Sequence, residues 1–333
     1  MNFIHATCRL CVDICPEKAM VMDDEMLGLD EDACTACGLC QAVCPQNAIS
    51  LDVTPREQDD TLLLICDKAK PEYGEQRVKC VHQMGLEQIA GYYQKGVRNI
   101  LVAKGDCQTC HYQSDTLENK AQTLDKNCQQ FNLLVHNRNL KPISINAVTV
   151  DQAKGWTKSI TDDGVANLSR RKLFTGVTEH FANETTEPET GVTSRHLANL
   201  QELNAEQEAS LFFTVPQIDE NLCEGCDACV RICPTQTLIK VNEEPSQSCY
   251  KVLPQNCTGC GLCQDVCSVH AICLLAMSES KTRTTLLQAY TCASCGIVCH
   301  VPGPEYGSRA NEGGLCRICS QTGHHKKLFQ VLA

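Results

Sequence analysis

The sequence predicts an α+β protein: two small cysteine-built modules flank a small α/β domain with a parallel sheet, and a four-cysteine tail follows. Three observations carry this. Of 333 residues, 27 are cysteine. A short cysteine pattern occurs four times, in two tandem pairs. Between the pairs, from about 58 to 150, short apolar runs alternate with stretches of helical periodicity. The cysteines fall in four zones: seven in 5–44, five in 66–128, ten in 223–273 and five in 292–319. A reducing compartment cannot hold so many as disulfides, so metal or cluster ligation is expected. The first residues form no apolar stretch of signal-peptide length, and no run approaches the roughly 18 apolar residues of a membrane span. Thr61–Ile65 is among the longest. A cytoplasmic protein is therefore expected. The net charge of −11 argues against nucleic acid and suits a basic docking face on a protein partner.

The repeat is seen in Cys34-Thr35-Ala36-Cys37-Gly38-Leu39-Cys40-Gln41-Ala42-Val43-Cys44-Pro45, in Cys223 to Pro234 and in Cys257 to Cys267, with a degenerate copy from His5 to Pro16. Three thiolates two residues apart let one loop wrap three iron corners of a cubane, and a fourth Cys starts the next element and reaches the other cluster of a pair. Soft thiolates are the donors that iron needs. The pattern resembles bacterial two-cluster ferredoxins over roughly 1–52 and 216–276. That resemblance implies one [4Fe–4S] cluster on Cys223, Cys226, Cys229 and Cys267, and a neighbour on Cys257, Cys260, Cys263 and Cys233. Ser268 stands where Pro is usual, which should loosen a turn without removing a ligand.

In the N-terminal pair the same register gives a complete set, Cys34, Cys37, Cys40 and Cys15. The other set has Cys8, Cys11 and Cys44, with His5 where a Cys belongs. Three readings stay open. His5 supplies a nitrogen ligand and raises the potential; the cluster is [3Fe–4S] or has an open iron; or the site is empty. Cys249 falls outside the register, and Cys273, beside Ile272, Leu274 and Leu275, is expected to be a packed core thiol.

In the middle, strands are expected at Thr61–Ile65, Arg77–Val81, Asn99–Ala103, about 132–135 and about 143–148. Helices are expected over Leu86–Lys95, ending at Gly96, and about 115–130 with Cys128 buried on it. Cys66, Cys80, Cys107 and Cys110 lie near strand ends, where ligands of open α/β sheets bind. The stretch Gly96 to Tyr112, containing Lys104-Gly105-Asp106-Cys107-Gln108-Thr109-Cys110, looks like the delta subunit of methyl-viologen-reducing hydrogenase. It lacks that family's usual Gly-rich wording around the second Cys. The resemblance covers about 60–148 and implies a [2Fe–2S] cluster on those four cysteines, with a formate dehydrogenase or hydrogenase as partner. A degenerate domain that binds nothing, or a redox dithiol at Cys107 and Cys110, are the other readings.

Helical spacing continues over 170–181 and 197–211, around a polar linker at about 183–195. Ser169-Arg170-Arg171-Lys172-Leu173-Phe174 resembles a twin-arginine export signal, but it sits in mid-chain and a polar stretch follows, so an amphipathic helix with a basic patch is preferred. In the tail, Cys292, Cys295, Cys316 and Cys319 form two knuckles of the zinc-ribbon type, with zinc expected, iron as the alternative, and Cys299 and His300 as spare donors. His324 and His325 are expected to be solvated. The expected divisions are 1–55, 58–150, 151–215, 216–278 and 286–333.

The sequence contains no nucleophile–base constellation, phosphate loop or dinucleotide fingerprint. Clusters without a substrate site imply electron transfer, so a polyferredoxin relay serving a redox enzyme is expected, more an electron-transfer chain than a catalytic one. The rivals are a thiol or disulfide reductase using Cys107 and Cys110 or an open-iron cluster near His5, and an iron–sulfur assembly or regulatory factor.

Overall fold

The computed structural model describes residues 8–23, 26–51, 55–70, 77–112, 123–156, 195–203, 210–244, 247–280, 284–303 and 314–322. The chain forms two compact units, Met1–Ala205 and Glu206–Ala333. No helix among the described residues is long and apolar enough to cross a membrane.

The first unit opens with α1 (Leu10–Ile14), the antiparallel pair β1 (Met20–Met22) and β2 (Leu27–Leu29), and α2 (Leu39–Val43). Both helices are single turns that start inside a cysteine motif. A four-stranded sheet follows. β3 (Arg56–Gln58) runs antiparallel to β4 (Thr61–Ile65). Helix α3 (Leu86–Gln94) leads to β5 (Asn99–Ala103), and α4 (Leu124–Asn137) leads to β6 (Ser144–Ala147). β4, β5 and β6 are parallel, with Ile65 opposite Ala103 and Ile100 opposite Ile145. The apolar run Leu62–Ile65 is buried throughout, as a strand covered on both faces must be. The Gln88 side chain accepts the Gly85 N–H at 2.9 Å to fix the start of α3. Tyr93 of α3 meets Phe131 of α4 edge-to-face at 5.2 Å, and the Arg98 guanidinium lies 3.7 Å from the Tyr93 ring. Helices α5 (Val150–Trp156) and α6 (His196–Glu202) complete the unit. Glu87 of α3 accepts the first N–H groups of α6, those of His196 and Leu197.

The second unit contains β7 (Leu211–Ile218), α7 (Ala228–Ile232), β8 (Leu238–Glu244), β9 (Gln247–Val252), α8 (Leu262–Asp265), β10 (Ile272–Glu279), β11 (Thr284–Thr291), β12 (Val298–Pro302) and α9 (Arg317–Thr322). β7 and β10 pair antiparallel from Ile218 opposite Ile272 to Leu211 opposite Glu279. The other sheet has the order β12-β11-β9-β8, all antiparallel. Residues of the tail thus share a sheet with residues of the second cysteine module.

Several expectations need correction. The strand expected at 132–135 is the last half of α4, whose buried face reads Leu124, Asn127, Cys128, Phe131, Leu134 and Val135. The Arg77–Val81 strand is reduced to one bridge, Val78 to Cys66, followed by a 3-10 turn at Val81–Gln83. The sheet is not wholly parallel, because β3 is antiparallel. The helix expected over 197–211 stops at Glu202, and Leu211 begins a strand. Cys273 is exposed, on the outward face of β10, whereas Cys249 and Cys128 are buried. The helix expected over 170–181, the linker at 183–194, the twin-arginine-like hexapeptide, His5, His324 and His325 lie outside the described residues.

Candidate cluster and metal centres

Three of the cysteine loops are shaped by left-handed residues at fixed positions, whereas in the first copy Arg9, after Cys8, has φ −116°. On either side of the central Cys stand Ala36 and Gly38, Gly225 and Asp227, and Gly259 and Gly261, with φ between 55° and 82°. Left-handed residues alternating with residues of negative φ turn successive backbone N–H groups into one concavity, the nest geometry that suits an anionic iron–sulfur core. A second left-handed residue stands three places after the last Cys of each copy: Lys18, Asn47, Gln236 and His270. It returns the next N–H to that Cys sulfur, from Ala19 to Cys15 Sγ, Ala48 to Cys44 Sγ, Thr237 to Cys233 Sγ and Ala271 to Cys267 Sγ, at 3.2–3.3 Å. The turn at Ser268 is as tight as the three with Pro, since His270 N–H reaches the Cys267 carbonyl at 3.0 Å. The loosening expected there is absent.

The thiols are brought together across copies. Cys15 joins Cys34, Cys37 and Cys40 around a small cavity lined by Ala19, Met20, Leu29 and Leu51. Cys233 joins Cys257, Cys260 and Cys263 around another, with Pro216, Leu238 and Leu274. Cys223 lies within charge-interaction range of Cys226 and Cys267, and Cys229 of all three. Cys11 feels Cys44 and Cys8, which groups three thiols at the fourth site. Burial, reinforced by neighbouring sulfurs, pushes Cys40, Cys229 and Cys263 up to about 12 and Cys11 to about 11. Cys233 departs from the pattern: burial opposes its ionisation, but the N–H groups of Leu238, Thr235 and Thr237 and the Thr235 hydroxyl hold its thiol below the ordinary value. Thiols crowded this way ionise together only when a cationic centre compensates them, so the donor sets fit iron–sulfur clusters.

In the middle domain Cys66 follows β4, Cys80 precedes the 3-10 turn, and Cys107 and Cys110 follow β5. Cys80 lies within charge-interaction range of Cys66, Cys37 and Cys110, and Cys107 of Cys66 and Cys110, so the four lie near one another beyond the carboxyl ends of β4 and β5. Burial raises the Cys80 thiol to about 12 and also raises that of Cys107. Sequence reasoning missed His82. Its Nδ1 accepts the Leu124 N–H at 3.1 Å, so the ring proton sits on Nε2, 3.7 Å from Cys107 Sγ. Its sequence signal, a His two residues after Cys80, is too common to be informative alone. Cys80, Tyr112 and Cys110 pack in one buried group with Ile14, Cys37, Leu39 and Cys40 of the preceding module. His111 Nε2 lies 2.8 Å from Glu17 Oε1.

In the tail, the Sγ atoms of Cys292, Cys295, Cys316 and Cys319 all lie within 4.8 Å of one another, and those of Cys295 and Cys316 are 3.8 Å apart. A tetrahedron with zinc–sulfur bonds of about 2.3 Å has edges of about 3.8 Å, so the set fits a four-thiolate metal. Cys316 N–H donates to Cys292 Sγ at 3.1 Å and Cys319 N–H to Cys316 Sγ at 3.4 Å. The N–H groups of Cys295 and Cys316 hold the Cys292 thiol down to about 6. Cys299 packs against this group, but the His300 Nε2 turns away to Asp227 Oδ1 at 2.8 Å. Asp227 also accepts the Tyr250 hydroxyl at 2.6 Å and pairs with Lys240 at 3.4 Å.

The family model of the 4Fe–4S dicluster domain matches residues 6–48 and 222–271. An uncharacterized ferredoxin of Methanocaldococcus jannaschii is 39% identical over 57 residues, which are 16% of this chain and 86% of that protein. An uncharacterized polyferredoxin-like protein of the same organism is 31% identical over 61 residues, again 16% of this chain. The chain spans 36% of the length of that relative.

Proposed function

Because the chain belongs to the 4Fe–4S dicluster ferredoxins, we propose that it is a multi-cluster electron relay serving a redox enzyme. Iron–sulfur electron transfer is the activity of this family, and the chain carries its dicluster domain twice. The observation that carries the reading is the crossed grouping of thiols, in which Cys15 lines a cavity with Cys34, Cys37 and Cys40, and Cys233 lines one with Cys257, Cys260 and Cys263. These are two ligand sets; Cys223, Cys226, Cys229 and Cys267 are a third, and Cys8, Cys11 and Cys44 form a fourth. A bound [4Fe–4S] cluster supplies a carrier for one electron at a time. The chain's own residues hold the thiols, aim N–H groups at the sulfurs, and exclude water with apolar side chains such as Leu39 and Leu238.

The middle domain is read as a [2Fe–2S] carrier on Cys66, Cys80, Cys107 and Cys110. Support comes from the convergence of those thiols, the His82 donor and the likeness to the hydrogenase delta subunit family. The same likeness makes a formate dehydrogenase or hydrogenase the proposed partner, in the cytoplasm. The tail is read as a zinc site. A dithiol reductase is disfavoured, because attack needs an accessible thiolate and burial raises the Cys107 thiol above its ordinary value.

The test is anaerobic purification with iron, sulfide and zinc analysis and EPR of the reduced protein. Roughly 14–18 irons and about one zinc per chain are expected. A folded, colourless, iron-poor protein would refute the relay.

A further inference from the structure

Ser268 stands where the other three copies carry Pro16, Pro45 and Pro234, and its hydroxyl is not idle. It accepts a hydrogen bond from Arg317 Nη2 at 2.9 Å. Arg317 Nε lies 3.3 Å from Glu224 Oε2. The arginine is the residue after Cys316, inside the second knuckle of the tail's four-thiolate site. Ser268 follows Cys267, and Glu224 follows Cys223. One guanidinium therefore ties together the two chain segments, far apart in sequence, that bring thiols to a single cluster position. The tail touches the same loop again, where the His300 carbonyl of β12 lies close against Gly225 and the His300 ring hydrogen-bonds Asp227.

We propose that Arg317 is a positioning residue for the cluster on Cys223, Cys226, Cys229 and Cys267, carried on the tail's metal knuckle so that metal binding there sets the cluster's reduction potential. The inference rests on the cluster and tail-metal assignments proposed above. Reduction adds one negative charge, which a fixed cation beside the ligand loops favours and the Glu224 carboxylate disfavours. Both side chains are partly solvated, so the pair contributes little to stability and the direct field is screened. Its value lies in fixing where the positive charge sits relative to Cys223 and Cys267. The knuckle supplies that fixity, since Arg317 lies between two residues of the four-thiolate set, Cys316 and Cys319.

The test is an EPR-monitored potential titration of the full chain, with the signal of this cluster assigned by its loss in Cys226→Ser. Arg317→Gln should make the cluster harder to reduce, changing its oxidised-to-reduced ratio at fixed potential by up to about tenfold, or about 59 mV for one electron. Glu224→Gln, which keeps the arginine and the Ser268 contact, should move the potential the opposite way. Arg317→Lys should restore the sign of the effect with a smaller size, since ammonium lacks the fork. Cys319→Ser, which empties the tail site, should reproduce the Arg317→Gln shift with the cluster's iron retained. Unmoved potentials in both Arg317→Gln and Glu224→Gln, with full iron and sulfide, overturn the proposal and leave the relay standing. If Arg317→Gln loses this cluster, Glu224→Gln decides by the presence or absence of its shift. Missing iron in the unaltered protein would instead overturn the relay itself.

Discussion

Replacing Gly225 by Ala should loosen the cysteine loop at 223–229 far more than the equivalent change at Gly261, in the other loop of the same module. Both glycines are left-handed, with φ of 68° and 82°. A side chain in that conformation costs about 1–2 kcal/mol at either position. Their surroundings differ. A Cβ on Gly225 would overlap the His300 carbonyl oxygen, with the carbonyl carbon 3.0 Å and His300 Cδ2 3.2 Å away. The obstacle is backbone of β12, held in the sheet by β11, so it cannot swing aside. A Cβ on Gly261 meets only Asp265 Oδ2, at 4.0 Å. Overpacking against fixed structure adds about 1–3 kcal/mol, for Gly225 alone. The totals are about 1–2 kcal/mol for Gly261→Ala and about 2–5 kcal/mol for Gly225→Ala. At roughly 4 °C per kcal/mol for a unit of this size, the two variants should separate by about 4–12 °C. Anaerobic thermal scans at one scan rate, following loss of the visible thiolate–iron absorbance, would measure it. Equal shifts in the two variants would refute the close packing of β12 on the cluster loop.

Three further outcomes are expected. Tyr250→Phe removes a hydroxyl donated to the Asp227 carboxylate and should destabilise the second unit by about 1.5–3 kcal/mol in denaturant titration. Burial raises the Asp227 carboxyl, but the Tyr250 and His300 hydrogen bonds outweigh it and hold the pKa below its ordinary value. The stabilisation is therefore complete above about pH 5 and is lost as pH falls through the depressed folded value, so the Tyr250→Phe deficit should be the same at about pH 8 and pH 9, above the ordinary histidine range. Phe131→Ala, at a fully buried position against Tyr93, should lower the stability of the first unit by about 3–5 kcal/mol in denaturant melts. Cys15→Ser and Cys233→Ser should each cost up to about four irons per chain on analysis, whereas the buried Cys128→Ser should cost none.

The ferredoxin modules are legible in the chain because a cubane dictates its ligand spacing, which three copies repeat in full and a fourth, with His5 in place of a Cys, repeats in part. The crossed grouping of Cys15 and Cys233 follows from the same register. β4, α3 and β5 are legible too, since Leu62–Ile65 is a short continuous apolar run and Gly85 and Gly96 bound the helix. Asn132–Val135 misleads because Leu133-Leu134-Val135 alone has strand character; the helix is fixed earlier, by the Thr123 cap on Lys126 N–H and the spacing of Cys128, Phe131 and Val135. Leu211 reads as helical because its strand partner, Glu279 of β10, lies across the whole cysteine module. The apolar neighbours of Cys273 suggest a core position, while exposure is set by which face of β10 it occupies. His82 near Cys107, Arg317 on Ser268 and His300 on Asp227 are tertiary contacts that no local pattern encodes.

The sheet order β12-β11-β9-β8 makes the C-terminal residues a mechanical part of the second module. Cutting the chain near residue 280 would strip β11 from β9, leaving the backbone groups of Ser248–Lys251 without their partner strand and uncovering Cys249 and Tyr250. A bare edge with an unshielded apolar face invites self-association. Truncation would thus produce an aggregating ferredoxin fragment whatever the tail does for the intact chain, and single substitutions at Cys319 or Arg317 are the cleaner way to separate the two roles.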